Sequence, residues 1–261
     1  MGRIDEKFQE LKTAKKKAFI TYLTFGFPYI SFTKDIILAL QNTPVDMIEI
    51  GVPFSDPLAD GPILQEASKI AISKGADSDK LFSVLNSLKG KISTPLIIMT
   101  YYNPVYRFGV DKFLNNAKKA DVSGIMVVDL PVEEASYFIR KSRRLNIDTI
   151  FFITPQTQNR RIKEIAEASR GFIYYISVAG ITGPRSLSLN SIHKNIRYIK
   201  KFSKIPVCVG FGIHKRTQVK ELFKISDGVI VGSALAKFIK SSYKDKDFFN
   251  KLERFIKRLY V

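Results

Sequence analysis

Two carboxylic acids that lie close together in the chain, Glu49 and Asp60, have the residue types and the surroundings of a proton donor and an anion. Glu49 interrupts an apolar run from Val45 to Val52, and Asp60 lies in the proline-bounded loop that follows, together with Asp56. An ionised carboxylate is costly to bury among Met, Ile and Val unless it is paired or its pKa rises. A buried carboxyl with a raised pKa exchanges a proton near neutral pH, whereas a carboxylate on a solvated loop stays ionised. The pair therefore predicts two different catalytic roles.

A purely structural interpretation of the same residues is also open. A glutamate inside a strand can pair with a buried Lys or Arg, and an aspartate before proline or glycine is common in turns. The spacing alone does not choose between these interpretations, so the elements around the two acids have to be considered.

Short apolar, β-branched runs with the length of strands recur along the chain. They cover residues 19–25, 47–51, 96–101, 124–129, 149–153, 172–177, 207–211 and 228–231. Segments with helical periodicity lie between them, at residues 35–40, 113–118, 132–144 and 160–168. This strand-helix alternation predicts an α/β fold, a single (β/α)8 TIM barrel spanning residues 1–261.

Three further features refine this expectation. An amphipathic helix is predicted at residues 4–15, and another at the end of the chain, where Phe248, Leu252, Phe255 and Leu259 share one face. The second βα unit is about twice as long as most others and has room for helices at 63–72 and 80–88. The competing fold, an open doubly wound sheet, usually carries a Gly-rich dinucleotide turn after its first strand, and the sequence at Phe25 does not match one.

Glycines follow the last three predicted strands, at the end of a barrel where active sites lie. A glycine lets backbone N–H groups approach an anion closely, and a helix N-terminus favours negative charge. Glycine is also common in ordinary turns, but its recurrence on consecutive strands predicts a site for a phosphorylated small molecule, one that needs no Lys or Arg. The relevant residues are Gly180, Gly183, Gly210, Gly212, Gly232 and Ser233.

The composition limits the other classes of function. The net charge of +18 favours polyanions, but the lysines are scattered and no nucleic-acid-binding motif is present, so we expect a solvated basic surface and no nucleic-acid partner. The single cysteine, Cys208, lies in an apolar run and is expected to be a buried thiol. His193 and His214 do not form a metal-ligand pattern, so no metal is expected. No apolar run is long enough for a membrane span, and the first residues do not resemble a signal peptide.

The segment from Glu49 to Pro62, Glu-Ile-Gly-Val-Pro-Phe-Ser-Asp-Pro-Leu-Ala-Asp-Gly-Pro, closely resembles the signature of the tryptophan synthase alpha subunit family. Further matching segments follow in the family's order and at its spacing, at residues 100–105, 128–134, 180–183, 210–213 and 232–234. The resemblance implies a lyase of tryptophan biosynthesis. It cleaves indole-3-glycerol phosphate to indole and glyceraldehyde 3-phosphate by a retro-aldol reaction without a cofactor.

The resemblance also implies a role for individual residues. Glu49 would protonate indole C3 and take the proton of the hydroxyl beside the breaking bond, while Asp60 would accept the indole N–H. Thr182 would close against Asp60, and Tyr101 would also help to orient the acids. The indole pocket would be lined by Tyr22, Met99, Tyr101, Met126, Tyr174 and Phe211, and the phosphate would be held by Gly183, Gly212, Gly232 and Ser233.

Members of this family work with a beta subunit that carries pyridoxal phosphate, in an α2β2 heterotetramer. Residues 53–60 and 103–109 correspond to regions at that interface. The resemblance implies the cytoplasm of a bacterium, or the plastid stroma for a plastid-encoded protein. Two departures concern the loops: many relatives carry Arg or another residue within the segment matching 177–180, and Phe27 replaces a small or acidic residue.

Three alternative functions stay open at this point. Another phosphate-binding barrel enzyme, such as an indole-glycerol-phosphate synthase, would need a catalytic Lys at a strand end, where this chain offers Glu49, Asp129 and Tyr101. A catalytically silent activator of the beta subunit is disfavoured, because it would not need to keep both Glu49 and Asp60. A polyanion-binding protein would show steeply salt-dependent binding.

Overall fold

The structure, a computed structural model, describes residues 2–177, 189–210 and 212–260. The residues Gly180, Thr182, Gly183 and Phe211, for which the sequence predicts roles in the site, lie outside this part of the chain. The strands in the described part are β1 (Ala18–Thr24), β2 (Met47–Gly51), β3 (Leu96–Thr100), β4 (Gly124–Val127), β5 (Asp148–Thr149), β6 (Phe152–Ile153), β7 (Ile173–Ile176), β8 (Val207–Gly210) and β9 (Gly228–Val231).

Helices lie between and around these strands. They are α1 (Arg3–Thr13), α2 (Ile30–Leu40), α3 (Pro62–Ser73), α4 (Ser78–Leu88), α5 (Tyr102–Phe108), α6 (Val110–Lys119), α7 (Ser136–Arg144), α8 (Asn159–Ala168), α9 (Leu189–Ile199), α10 (Arg216–Phe223), α11 (Ser233–Ser242) and α12 (Phe248–Leu259). None of these helices is long and apolar enough to cross a membrane.

The strands form a closed parallel barrel, as the sequence predicts. Their order is β5-β4-β3-β2-β1-β9-β8-β7-β6, so the two ends of the row, β5 and β6, are halves of one short segment. The Ile150 N–H donates to the Ile125 carbonyl at 3.1 Å, and the Tyr174 N–H donates to the Phe151 carbonyl at 3.0 Å. Because this segment is hydrogen-bonded on both sides, the row closes and an open doubly wound sheet is excluded.

The barrel interior is filled by side chains at alternate strand positions, as the period of a strand requires. They form one apolar cluster that includes Ile20, Met47, Ile97, Met126, Ile150, Tyr174, Cys208 and Ile230. Helix α1 contributes Ile4, Phe8 and Leu11 to the same cluster and thereby closes the amino-terminal end of the barrel. The predicted extra helix is therefore a plug, and the predicted buried thiol of Cys208 is confirmed.

The outer layer differs from the sequence prediction in several places. Helix α2 begins at Ile30, five residues before the predicted segment. In α12 the fully buried face holds Ile256 in place of Phe255, which is only partly buried and stacks on Phe238 with ring centroids 4.5 Å apart. Helix α7 begins at Ser136, four residues after the predicted start. The short helix α5 was not predicted, because seven residues are too few to show helical periodicity. Helices α3 and α4 occupy the long second unit as expected.

Candidate active site

A cavity of about 260 Å³ opens at the carboxyl ends of the strands, where parallel barrels hold their active sites. Most residues that the sequence assigns to a site and that the structure describes border this cavity. They are Tyr22, Asp60, Met99, Tyr174, Gly212, Gly232 and Ser233. These residues come from distant parts of the chain, and the barrel brings them together.

Glu49 lies beside this cavity on β2, directly opposite Tyr22 in the strand register. Its side chain is fully buried, and neither carboxylate oxygen has a hydrogen-bond partner in the described part of the chain. Burial, followed by the negative charge of Asp60, raises the pKa of Glu49 to about 8. Among the described residues, Glu49 is therefore not paired with a buried Lys or Arg, as the structural interpretation would require. With a pKa of about 8, it keeps its proton at neutral pH.

Asp60 is also buried, with 5% of its surface exposed, although it lies on a loop. A backbone hydrogen bond to the Pro57 carbonyl at 3.0 Å and the Gln65 side-chain amide on the Asp60 carbonyl at 2.9 Å hold this turn. Burial raises the pKa of Asp60 to about 6. The loop does not keep the acid solvated, contrary to the sequence argument, but a pKa near 6 still leaves Asp60 mostly ionised at pH 7.

The two acids therefore differ by about two pKa units, the gap between about 8 and about 6. At pH 7 the arrangement holds one protonated and one ionised carboxyl in the same apolar site. Two carboxyls whose surroundings give them different pKa values can take different roles in one reaction. Chemically, it suits a reaction that needs a proton at one atom and a negative charge near another.

Tyr101 anchors the loop that carries Asp60. Its hydroxyl accepts a hydrogen bond from the Ala59 N–H at 3.0 Å, and its ring lies 5.3 Å from the Phe54 ring. The next residue, Tyr102, donates its N–H to Asp129 Oδ1 at 2.6 Å. Tyr101 therefore fixes the loop backbone at the residue that precedes Asp60.

Met126 is the other described residue of the predicted indole pocket that does not border the cavity. It is fully buried in the interior cluster, together with Met99 and Tyr174. The structure places it in the layer of the barrel interior that supports these two cavity-lining side chains.

Two tyrosine rings lie across two glycines at the rim of the barrel. A Cβ on Gly51 would lie 1.9 Å from the Tyr22 hydroxyl oxygen, and a Cβ on Gly210 would lie 2.2 Å from the Tyr174 hydroxyl oxygen. No side chain fits at such distances, so these two glycines are required by the rings. The glycine that follows Glu49 in the sequence motif thus makes room for a wall of the site.

The opposite end of the cavity has the features of an anion site. Gly232 and Ser233 stand at the N-terminus of the ten-residue helix α11, where free N–H groups and the helix dipole favour negative charge. Gly212, with φ +75°, also borders the cavity. No Lys, Arg or His is among the described residues that line the cavity. The described groups that could hold an anion here are the backbone N–H groups at the N-terminus of α11 and the Ser233 hydroxyl.

Several apolar residues of the cavity wall were not predicted from the sequence, including Phe152, Ile176 and Ile230. The Phe152 ring packs 5.0 Å from that of Tyr174. A signal was available, because Ile176 lies two positions beyond Tyr174 and so points to the same side of its strand. Counting every second residue toward each strand end would have found them once the strands were known to form a closed barrel.

No group of three or more His, Cys, Asp or Glu side chains that could hold a metal ion occurs in the described ranges.

Comparison with known proteins gives a consistent result. The family model described as "Tryptophan synthase alpha chain" matches residues 8–259. The chain is 40% identical over 262 residues to the tryptophan synthase alpha chain of Petrotoga mobilis, covering 100% of both chains. It is 40% identical over 254 residues to that of Methanocaldococcus jannaschii, covering 97% of this chain and 90% of the relative.

Solved structures show the same likeness. Tryptophan synthase subunit alpha from Legionella pneumophila superposes with a TM-score of 0.90 at 32% identity, covering 99% of this chain and 98% of that one. A chain of the tryptophan synthase complex from Pyrococcus furiosus superposes with a TM-score of 0.82 at 36% identity, covering 93% and 97% of the two chains.

Proposed function

The chain belongs to the tryptophan synthase alpha chain family and is a lyase that cleaves indole-3-glycerol phosphate in tryptophan biosynthesis, and we propose that Glu49 and Asp60 carry out the cleavage. The observation that supports this assignment most strongly is the pair of buried carboxyls with separated pKa values, about 8 and about 6, at one end of a cavity. The other end of the same cavity suits a phosphate.

In the proposed mechanism Glu49 first acts as the acid. Its carboxyl proton goes to indole C3, which turns the ring into a cation with its charge at the nitrogen. Asp60 accepts a hydrogen bond from the ring N–H and stabilises that charge, which is worth most in a site closed to water. Indole cannot leave as a carbanion, so protonation has to precede cleavage.

Glu49 then acts as the base. Its carboxylate takes the proton of the hydroxyl on the carbon bonded to C3, and the C–C electron pair returns to the ring. The products are neutral indole and the aldehyde of glyceraldehyde 3-phosphate. Glu49 ends with its proton restored, so no co-reactant is consumed. The raised pKa of about 8 suits both steps, because such a carboxyl gives and regains a proton near neutral pH.

We propose that the apolar wall of the cavity, including Tyr22, Met99 and Tyr174, holds the indole ring. The phosphate is assigned to the backbone of Gly212, Gly232 and Ser233. By family resemblance Gly183 joins this phosphate site, Phe211 joins the indole pocket and Thr182 closes against Asp60. A loop that closes over the site excludes water and strengthens the interactions of both acids.

We propose a tryptophan synthase beta subunit as partner, in an α2β2 heterotetramer with pyridoxal phosphate on the beta subunit. The support on this chain is an exposed apolar surface at the mouth of the barrel. Leu58 and Tyr106 are 79% and 69% exposed, and they lie in the segments 53–60 and 103–109 that correspond to the family interface. The compartment, bacterial cytoplasm or plastid stroma, stays a prediction.

The test is an assay of indole release from indole-3-glycerol phosphate, with and without a beta subunit. We expect release by the wild type, a faster rate with the partner, and loss of activity in Glu49→Gln and in Asp60→Asn. Glu66→Gln is the matched control, since Glu66 is an exposed acid on α3 paired with Lys240 at 2.6 Å. Full activity in either site variant would refute the assignment of that residue.

A further inference from the structure

The backbone on both sides of Asp60 is held by hydrogen bonds. Asp60 directly precedes Gly61, the N-cap of helix α3, and Gln65 lies in the first turn of that helix. The Gln65 side-chain Nε2 donates to the Asp60 carbonyl oxygen at 2.9 Å. The Asp60 N–H donates to the Pro57 carbonyl oxygen at 3.0 Å. Because both peptide groups that flank the Asp60 Cα are held, the direction in which its side chain leaves the backbone is fixed.

The glycine after Asp60 makes the bond from Gln65 important. A Cβ on Gly61 would meet no atom within 4 Å, so packing does not restrict this residue. A glycine in open space rotates about both of its backbone bonds at little cost. The other anchor of the loop, the Tyr101 hydroxyl that accepts the Ala59 N–H at 3.0 Å, acts on the chain before Asp60. The Gln65 amide is therefore the side-chain contact that holds the peptide between Asp60 and Gly61.

Helix α3 gives this amide a fixed support. The helix buries Ala67, Ser68 and Ala71 against the rest of the barrel. The Gln65 N–H donates to the Gly61 carbonyl oxygen at 3.0 Å, so the backbone of Gln65 is part of the helix. The side chain thus connects a turn with a mobile residue type to a packed helix.

We propose that Gln65 is a positioning residue for the cleavage: its side-chain amide fixes the Asp60–Gly61 peptide and thereby aims the Asp60 carboxylate at the indole N–H. The inference rests on the proposed role of Asp60. A negative charge that is already in place when the ring becomes a cation needs no reorganisation during the reaction. Because the bond from the ring N–H is strongest in the cation, misalignment of Asp60 lowers kcat more than it raises KM.

The variant Gln65→Met tests this inference, because it keeps the length of the side chain and removes its donor. The measurements are kcat and KM of the full-length chain for indole-3-glycerol phosphate from pH 5.5 to 9. We expect kcat to fall about three- to tenfold, the effect of one lost neutral hydrogen bond, with KM changed by less than about twofold. The acid limb of kcat should stay in place, because the burial that raises the pKa of Asp60 to about 6 is kept.

A second variant and a matched control separate hydrogen-bond donation from other effects. Gln65→Glu keeps a polar side chain, but its carboxylate only accepts hydrogen bonds, so at pH 8.5 it should lose at least as much activity as Gln65→Met. Gln41→Met is the control. Gln41 is partly buried like Gln65, and its Nε2 donates to the Lys91 carbonyl oxygen at 3.3 Å, on the segment before β3. We expect this variant to keep the wild-type kcat, and thermal unfolding compares the stability of all variants.

Three results would overturn the inference. They are a kcat of Gln65→Met that falls no more than that of Gln41→Met, a wild-type kcat in Gln65→Glu, and a downward shift of the acid limb in Gln65→Met. The last would mean that the loop has opened to water and that Gln65 keeps Asp60 buried without aiming it. If Asp60→Asn keeps full activity, the proposed role of Asp60 itself fails. Inactive Asp60→Asn together with unchanged kcat in Gln65→Met refutes the inference alone.

Discussion

Replacing Gly51 by alanine tests how the site is built, because a single methyl group enters the space of a single ring. The new Cβ would lie 1.9 Å from the Tyr22 hydroxyl oxygen and 2.4 Å from Cζ. The backbone cannot yield easily, since the Gly51 carbonyl accepts the Phe25 N–H at 2.9 Å and the Val52 N–H donates to the Met99 carbonyl at 2.8 Å. The Tyr22 ring therefore has to leave its position.

Forcing an extra carbon into a packed site costs about 1–3 kcal/mol. Alanine also restricts the unfolded chain more than glycine does, and this effect stabilises the folded state by about 0.4–1 kcal/mol. We therefore expect Gly51→Ala to lower the free energy of unfolding by about 1–2 kcal/mol. Denaturant unfolding measures this value. We also expect kcat for indole release to fall, because the displaced ring forms the wall beside Asp60.

A double-mutant cycle attributes the loss to the ring. Tyr22→Leu removes the atoms that a Cβ on Gly51 would meet, so adding Gly51→Ala in that background should cost about 1 kcal/mol less. Gly61→Ala is the control, since a Cβ there meets no atom within 4 Å and only the helix-cap preference changes. Equal costs in both Tyr22 backgrounds would refute the steric argument.

Three further predictions concern the acids, the phosphate and the partner. Burial raises the pKa of Glu49 from 4.5 in the unfolded chain to about 8 in the folded protein. The folded state therefore holds an extra proton between these two pKa values, and the stability of the wild type falls as the pH rises through this range. Relative to Glu49→Gln, the free energy of unfolding should fall by about 3 kcal/mol between pH 5.5 and 8.5, measured by chemical unfolding. Ser233→Asp places a negative charge at the α11 N-terminus and should raise KM at least about tenfold with kcat little changed; an unchanged KM would place the phosphate elsewhere. Leu58→Asp should weaken binding of the beta subunit by about tenfold or more in titration calorimetry without slowing the isolated chain, and undiminished binding would argue for another interface.

The sequence contained enough information for the strands and the family, and it singled out the two acids as candidates. Strands that are buried on both sides appear as continuous apolar runs, so their approximate positions along the chain follow from local composition. Glu49 stands out because it is the only residue with a polar side chain in its strand, Met47–Gly51. The structure bears out the apolar setting of this acid, with both oxygens enclosed and a raised pKa.

Other features depended on residues that are distant in the chain. The loop position of Asp60 suggested solvent, but the barrel buries it, and its pKa of about 6 results from that burial. The fifth strand is split between two neighbours, β4 and β7, which a local pattern cannot show.

Gly51, two residues after Glu49, shows most clearly which features the sequence determines and which depend on the tertiary structure. From the sequence, Gly51 is a small residue at a strand end, and nothing nearby in the chain requires it. The requirement comes from Tyr22, whose hydroxyl oxygen would lie 1.9 Å from a Cβ at that position. Residue types and their local order determine which elements form and which side chains can exchange protons. Burial, pKa and steric room depend on packing between distant segments, so only the closed barrel decides them.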